Sequence, residues 1–300
     1  MKRVSVLLAA ALLCSRCGGS SSAPTPVPTS PPSAVPGVSY PPAFLVGAGD
    51  IADCKLPGSE ATARLLDRFG GTVFTAGDNA YPSATAVDYR NCYQPTWGRH
   101  LDRTQPVPGN HEYEQPNAAP YFQYFGARAG APPFGFYSYD LGAWHVVALN
   151  SEVSMGVGSP QAVWLRQDLS ATSRRCSVAI IHRPLFSSGE HGDNPDTRGL
   201  WNTLSEFGAE IVIAGHDHLY ERFAPQMPDG RADALRGIRQ FIVGTGGAGV
   251  RGFMTPKGNS EARGSVWGVL ALTLLDGSYN WEFVPVEGAA FRDAGAGTCH

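Results

Sequence analysis

Three hundred residues, 43% apolar and 16% charged, suffice for one sizeable globular domain or two small ones. A formal net charge of −3 leaves no basic footprint for nucleic acid or for an anionic membrane surface. The 36 glycines and 24 prolines are both in excess, but much of the proline gathers near the N-terminus and reports a linker, not the fold.

Residues 1–17 read as a signal peptide, in which Lys2 and Arg3 precede an apolar run, Val4 to Leu13, that is too short to span a bilayer as a helix. Cys17-Gly18-Gly19-Ser20 resembles the start of a mature bacterial lipoprotein, while Arg16 before Cys17 and Leu13 before Cys14 depart from that pattern. Lipidated and unlipidated products both stay open. Residues 18–41 are rich in Ser, Pro and Thr and bury too little apolar surface to offset their ordering entropy, so they form a disordered tether. No second linker follows, which makes residues 42–300 one domain. The chain is expected outside the cytoplasmic membrane, whether secreted, periplasmic or anchored at the cell surface, with a lipid as its one membrane contact.

Five short apolar runs read as buried strands: Ala43–Val46, Thr72–Phe74, Pro106–Pro108, Val178–Ile181 and Ile211–Ala214. Helical spacing runs from Ser59, at the N-cap position, to Phe69, with Gly70 as the stop. Pro160 to Leu169 reads as a second helix with Ala162, Val163, Leu165 and Leu169 inward, and Thr197 to Phe207 as a third. Phe136–Leu141 and Trp144–Leu149 alternate around Gly142 as a hairpin. Ile238–Val243, Val266–Leu275 and Tyr279–Val286 close the chain as strands, the last two joined by Asp276-Gly277. The N-terminal part is thus α/β and the C-terminal part mostly antiparallel. Beyond the signal, Cys54, Cys92, Cys176 and Cys299 predict two disulfides in an exported chain. Of three pairings, Cys54–Cys92 with Cys176–Cys299 is favoured, because the first two lie in loops near the same strand ends.

Polar groups follow the strand runs in order: Gly49-Asp50, Gly77-Asp78-Asn79-Ala80-Tyr81, Gly109-Asn110-His111-Glu112, His182, and Gly215-His216-Asp217-His218. Each alone is weak, since an Asp after a strand is commonly a cap and a single His commonly a packed residue. Jointly they point to one crevice at the carboxyl ends of the strands. Carboxylate, amide oxygen and imidazole are the donors that hard and borderline cations take. Two ions about 3.5–4 Å apart clamp the attacking and leaving oxygens of a phosphoryl displacement, so no Ser or Cys nucleophile is required.

At these residues the chain resembles the calcineurin-like metallophosphoesterases, and within them the purple acid phosphatases. The resemblance runs from about Phe44 to Phe223 and implies an α/β fold: a β-sandwich of two mixed sheets flanked by helices in α/β/β/α layers. It assigns Asp50, Tyr81 and His218 to a first metal, Asp78 to a bridging position, and Asn110, His182 and His216 to a second. His111 would sit near the leaving group or phosphate, and His191 is the candidate general acid. Ala52 departs from the family's Gly and from the wider superfamily's His, which leaves Tyr81 to complete the first metal; Ala179 in place of Val changes packing alone. Tyr81 decides the metals, because a phenol binds as phenolate only to a strong Lewis acid. With Asp50, Asp78, Tyr81 and a bridging hydroxide all anionic, two divalent ions leave the centre neutral. Fe(III) with divalent Fe, Zn or Mn leaves it cationic, as an anionic substrate prefers. The implied activity is an exported phosphomonoesterase acting on phosphorylated small molecules, with no nucleic-acid partner. Its rivals are a phosphodiesterase or nucleotidase on the same ligands and a non-catalytic metal- or phosphate-binding surface protein. Tyr121-Phe122-Gln123-Tyr124-Phe125 offers either an aromatic wall for a nucleoside base or a core helix. Gly244–Gly249 lacks the Lys-Ser/Thr of a nucleotide P-loop and reads as a tight loop beside the site.

Overall fold

The computed structural model describes residues 40–300; the expected signal segment and residues 18–39 of the tether lie outside them. Six strands build the first sheet: β1 (Ala43–Ala48), β2 (Thr72–Ala76), β3 (Thr104–Val107), and later β11 (Gly268–Leu275), β12 (Ser278–Pro285) and β13 (Asp293–Thr298). Seven build the second: β4 (Tyr137–Leu141), β5 (Trp144–Ala148), β6 (Cys176–Ile180), β7 (Ile211–Ala214), β8 (Tyr220–Phe223), β9 (Arg239–Val243) and β10 (Ser260–Gly264). The orders are β13-β12-β11-β1-β2-β3 and β10-β8-β9-β7-β6-β5-β4. Parallel pairing joins β1, β2 and β3 in one sheet and β5, β6, β7 and β9 in the other, with antiparallel strands at the margins. These are the two mixed sheets expected.

Both faces of the central second-sheet strands are buried, which is why they read as unbroken apolar runs. Val146, Val178, Ile180 and Ile213 join the core shared with Leu45, Phe74 and Leu272 of the first sheet. Val147, Ala179, Ile181 and Val212 face the other way, under α4 (Pro160–Ala171) and α5 (Arg198–Glu206). Across the sandwich the Phe241 and Trp281 rings lie 5.7 Å apart and those of Trp144 and Tyr279 5.6 Å. The helices α1 (Gly58–Leu66) and α2 (Ala86–Asp88) lie in the connections of the first sheet, and α3 (Ala119–Phe125) in the crossover from β3 to β4 of the second. The disulfides are Cys54–Cys92 and Cys176–Cys299, the favoured pairing. Among the described residues no helix is long and apolar enough to cross a membrane.

Helix α1 starts at Gly58, so buried Ser59 lies in its first turn and caps nothing. In α4 Val163 is 46% exposed, and Gln161 takes an inward place, bonding the backbone of Asn150 in both directions. The third helix is shorter than Thr197–Phe207, because Pro195–Thr197 forms a 3-10 turn ahead of α5. Strands β8, β10 and β13 were not expected. The aromatic run is a core helix: Tyr121, Phe122 and Phe125 of α3 are buried, which removes the proposed nucleoside wall.

Candidate metal centre

The five expected strand ends meet in one crevice. Asp50 follows β1, Asp78 and Tyr81 follow β2, Asn110 follows β3, His182 follows β6, and His216 and His218 follow β7. Asp50, Asp78 and His216 have φ of 59°, 50° and 71°, in the left-handed region that side-chain-bearing residues rarely adopt. Each turns sharply at its strand end, and neighbours hold it there. The Gly246 N–H donates to Gly49 O at 2.8 Å and the Ala248 N–H to Asp50 O at 2.9 Å. The Gly244–Gly249 loop is therefore the tight support beside the site. A Cβ on Gly244 would lie 2.1 Å from Asp217 O and 2.8 Å from Asp50 Oδ2, so glycine is required by close approach.

Two sets of donor atoms form. In the first, Tyr81 Oη stands 3.0 Å from Asp50 Oδ1, 3.2 Å from Asp78 Oδ2 and 3.1 Å from His218 Nε2. In the second, His182 Nε2 stands 3.3 Å from Asp78 Oδ2, 3.1 Å from Asn110 Oδ1 and 3.2 Å from His216 Nδ1. Asp78 Oδ2 belongs to both. The histidines are oriented from behind, as His182 Nδ1–H donates to Ala76 O at 2.8 Å and His218 Nδ1–H to Gly249 O at 2.9 Å. That fixes each ring's orientation and leaves its Nε2 aimed inward.

This donor set fits metal ions. Donors at right angles around an ion, each about 2.1 Å from it, are about 3.0 Å apart, as these are. Protons satisfy the geometry poorly. One Tyr81 hydrogen faces three acceptors, and so does one hydrogen on His182 Nε2. The electrostatics tell the same story. Burial opposes charge on His182, yet the Asp78 carboxylate pushes its pKa up to about 10. Burial also opposes ionisation of Asp78, but the His182 charge holds it well below the usual carboxylate range. His216 is held down to about 2, first by burial and then by positive His182 and Arg183. Burial, then Asp50 and Asp78, pushes the Tyr81 phenol well above its ordinary value. Acidic groups desolvated this close together require cations.

The model of the calcineurin-like phosphoesterases matches residues 36–220, more than half of the chain. The chain belongs to the calcineurin-like phosphoesterase family. Among curated relatives, the probable purple acid phosphatase 20 of Arabidopsis thaliana is 27% identical over 236 residues, 70% of this chain and 52% of its own. The Fe(3+)-Zn(2+) purple acid phosphatase 12 of the same plant is 26% identical over 176 residues, 51% of this chain and 37% of its own. The chain spans about half the length of the curated relatives it matches. Among solved structures, purple acid phosphatase PPD1 from yellow lupin seeds has a TM-score of 0.71 at 18% identity, covering 86% of this chain and 54% of that one. GAP50, the anchor in the inner membrane complex of Plasmodium, has a TM-score of 0.70 at 15% identity, covering 86% and 89%. At these identities the structures establish the fold.

Two further histidines of this calcineurin-like phosphoesterase line the rim. His111 lies with its ring 4.5 Å from that of Tyr81; its Nδ1–H donates to Pro82 O at 2.5 Å, and Nε2 is 3.7 Å from Asp78 Oδ2. His191 is exposed and stacks on the His216 ring at 4.3 Å, with Arg251 Nη1 3.2 Å from its Nε2. Three supports were not singled out from the sequence. Glu112 is fully buried and accepts from the Asp78, Asn79 and Gly109 N–H groups at 3.0, 2.9 and 2.6 Å and from Tyr89 Oη at 3.1 Å. It thereby ties the β2 loop to the β3 loop; burial, then the Asp78 charge, raises its pKa to about 7. Asp217 accepts from the Ser187 hydroxyl and from the His191 N–H at 2.9 Å, setting the loop that carries His191. Arg183 and Glu152, after β6 and β5, form an ion pair beside His216. Ala148-Leu149-Asn150-Ser151-Glu152 carries the signal that was overlooked, an apolar strand end running into polar residues like the other five.

Proposed function

We propose that this protein is an exported dinuclear-metal hydrolase of phosphate monoesters on small molecules, of the purple acid phosphatase type. One observation carries the reading: a single oxygen, Asp78 Oδ2, is common to two sets of donors spaced for metal ligation. Asp50, Tyr81 and His218 would hold a first ion, Asn110, His182 and His216 a second, and Asp78 both. When bound, the ions supply Lewis-acid activation of water and of the phosphate. Tyr81, buried against two carboxylates, ionises only beside a strongly acidic ion, which favours Fe(III) with a divalent partner. His111, with Nδ1–H fixed on Pro82 O, presents Nε2 towards the crevice. It or His191 delivers the proton to the leaving alkoxide. Export is supported by the basic-then-apolar start of the sequence and by two disulfides, which persist in oxidising compartments.

Elemental analysis and a visible spectrum of the same sample test the reading. Iron with a broad phenolate-to-Fe(III) band, abolished in Tyr81→Phe, is expected. Two divalent ions without a band would retain the phosphatase and withdraw the iron assignment. A protein that takes up no stoichiometric metal on reconstitution refutes the whole proposal.

A further inference from the structure

Each sheet ends in two edge strands, β13 and β3 in the first and β10 and β4 in the second. An open edge invites another strand, and proteins blunt it with charge, proline or a bulge. Three of these edges are blunted. Pro106 in β3 has no N–H, and its carbonyl accepts from Tyr121 Oη at 3.1 Å and Tyr137 Oη at 2.8 Å. The register of β10 shifts between Ser260 and Ala262, and the strand carries Glu261 and Arg263. Asp140 puts a half-exposed carboxylate on β4.

The fourth edge lacks all three devices. Strand β13 pairs with β12 through consecutive residues without a shift. Its one charge, Asp293, turns inward and accepts from Arg222 Nε at 2.7 Å, Tyr220 Oη at 2.6 Å and Trp281 Nε1 at 3.1 Å. The rest is Ala294-Gly295-Ala296-Gly297-Thr298, with Ala294, Ala296 and Thr298 exposed. The strand is held at both ends, by Asp293 on Arg222 and by the Cys176–Cys299 disulfide. The register shows which backbone groups are open. Cys299 lies opposite Gly277 and donates its N–H to Gly277 O at 2.9 Å. Bonded pairs alternate along an antiparallel ladder, so Gly297, Gly295 and Asp293 bond to β12. Ala294, Ala296 and Thr298 then direct N–H and C=O away from the sheet, and among the described residues these groups have no backbone partner.

We propose that β13 is a self-association edge: two copies of the chain pair this strand antiparallel across a two-fold axis at Ala296, so that the first sheet runs on from one copy into the other. Ala296 then faces its own counterpart and Ala294 the partner's Thr298, each opposed pair exchanging two N–H···O bonds. Small residues meet small ones throughout, since Gly295 faces the partner's Gly297 on the inner side. No like charges meet, because Asp293 faces the partner's Cys299. The Trp281 and Tyr279 rings already lie over Gly295 and Gly297, where they supply apolar cover to the joined strands. The edge thus matches its own sequence in size and charge, and a two-fold contact closes at two copies. The tether, with Pro24, Pro26, Pro28, Pro31, Pro32 and Pro36, lacks the run of N–H groups that a ladder requires.

Sedimentation equilibrium of the intact protein, as processed by its producing cells, tests this across about 1 to 200 µM. The mass is expected to rise with concentration from monomer to dimer and to stop there. Ala296→Pro removes both bonds at the axis and none to β12, so it should weaken the dimer at least about tenfold. Ala296→Lys and Ala296→Glu each set like charges face to face and should weaken it less, whereas an equimolar mixture of the two should associate more tightly than either alone. That mixture decides the matter if the proline variant does not fold. A wild type that stays monomeric over this range, or grows beyond the dimer, overturns the proposal. So does a dimer that the proline and the paired charges leave unchanged.

Discussion

Oxygen donors enter the centre from the six-stranded sheet and nitrogen donors from the seven-stranded one. Asp50, Asp78, Tyr81 and Asn110 follow β1, β2 and β3, whereas His182, His216 and His218 follow β6 and β7. The two sides are also supported differently. The oxygen side is laced together by one buried carboxylate, Glu112, acting on two loops. On the nitrogen side, His182 and His218 are aimed individually by carbonyl acceptors, and the one behind His182, Ala76 O, belongs to the opposite sheet. Neither sheet alone holds a complete donor set. Ions bound here would join the sheets at the carboxyl ends of their central strands, while Cys176–Cys299 joins the start of β6 to the chain just after β13.

Asp78 Oδ2 is the oxygen shared by both donor sets. Asp78→Asn should cost both metals and lower phosphatase turnover by about a thousandfold or more, several kcal/mol of lost charge stabilisation. His218→Ala, which removes one nitrogen from one set, should retain the second metal on elemental analysis. Equal metal loss in the two variants would show that Asp78 is not the common ligand. Metal removal should have a smaller, structural effect. If ions tie the sheets together, saturating metal at about a hundred times Kd should stabilise by about 2.7 kcal/mol, raising Tm by about 5–10 °C over the chelated protein in a calorimetric scan. An unchanged Tm would mean that the sheets hold the crevice closed unaided. The smallest effect lies away from the centre, on the second sheet alone. His145 is buried between Asp140 and Asp168, at 2.9 and 2.8 Å. Burial opposes its charge, but hydrogen bonds to Asp168 and Asp140 outweigh that and raise its pKa above 6.5. Its contribution is then fully present below the unfolded pKa and lost as pH rises through the folded one. His145→Gln should cost about 1 kcal/mol in urea unfolding at mildly acid pH and progressively less at alkaline pH. A cost independent of pH would assign His145 to packing alone.

Much of the oxygen and nitrogen split was legible, because every contributing strand ends in a polar side chain directly after an apolar run, as in Ile211–Ala214 followed by Gly215-His216. The end of β5 was missed because Trp144–Leu149 read as half of a hairpin, which hid that its parallel neighbour is β6. Strand β13 was illegible for a different reason. Asp293-Ala294-Gly295-Ala296-Gly297-Thr298 has few strand-forming side chains, and its pairing with β12 lays Trp281 and Tyr279 over Gly295 and Gly297. The partner strand supplies what the local sequence lacks. The role of Glu112 could not be read either, since its four donors come from three separate segments of chain.

On the proposed dinuclear reading, the left-handed backbone at Asp50, Asp78 and His216 sets stability and metal binding against each other. Glycine at any of the three would relieve about 1 kcal/mol of local strain and remove one buried polar side chain from the candidate donor sets. A search for heat-resistant variants conducted in chelator would enrich those substitutions and return sturdier, inactive proteins. The same search with metal present would reject them.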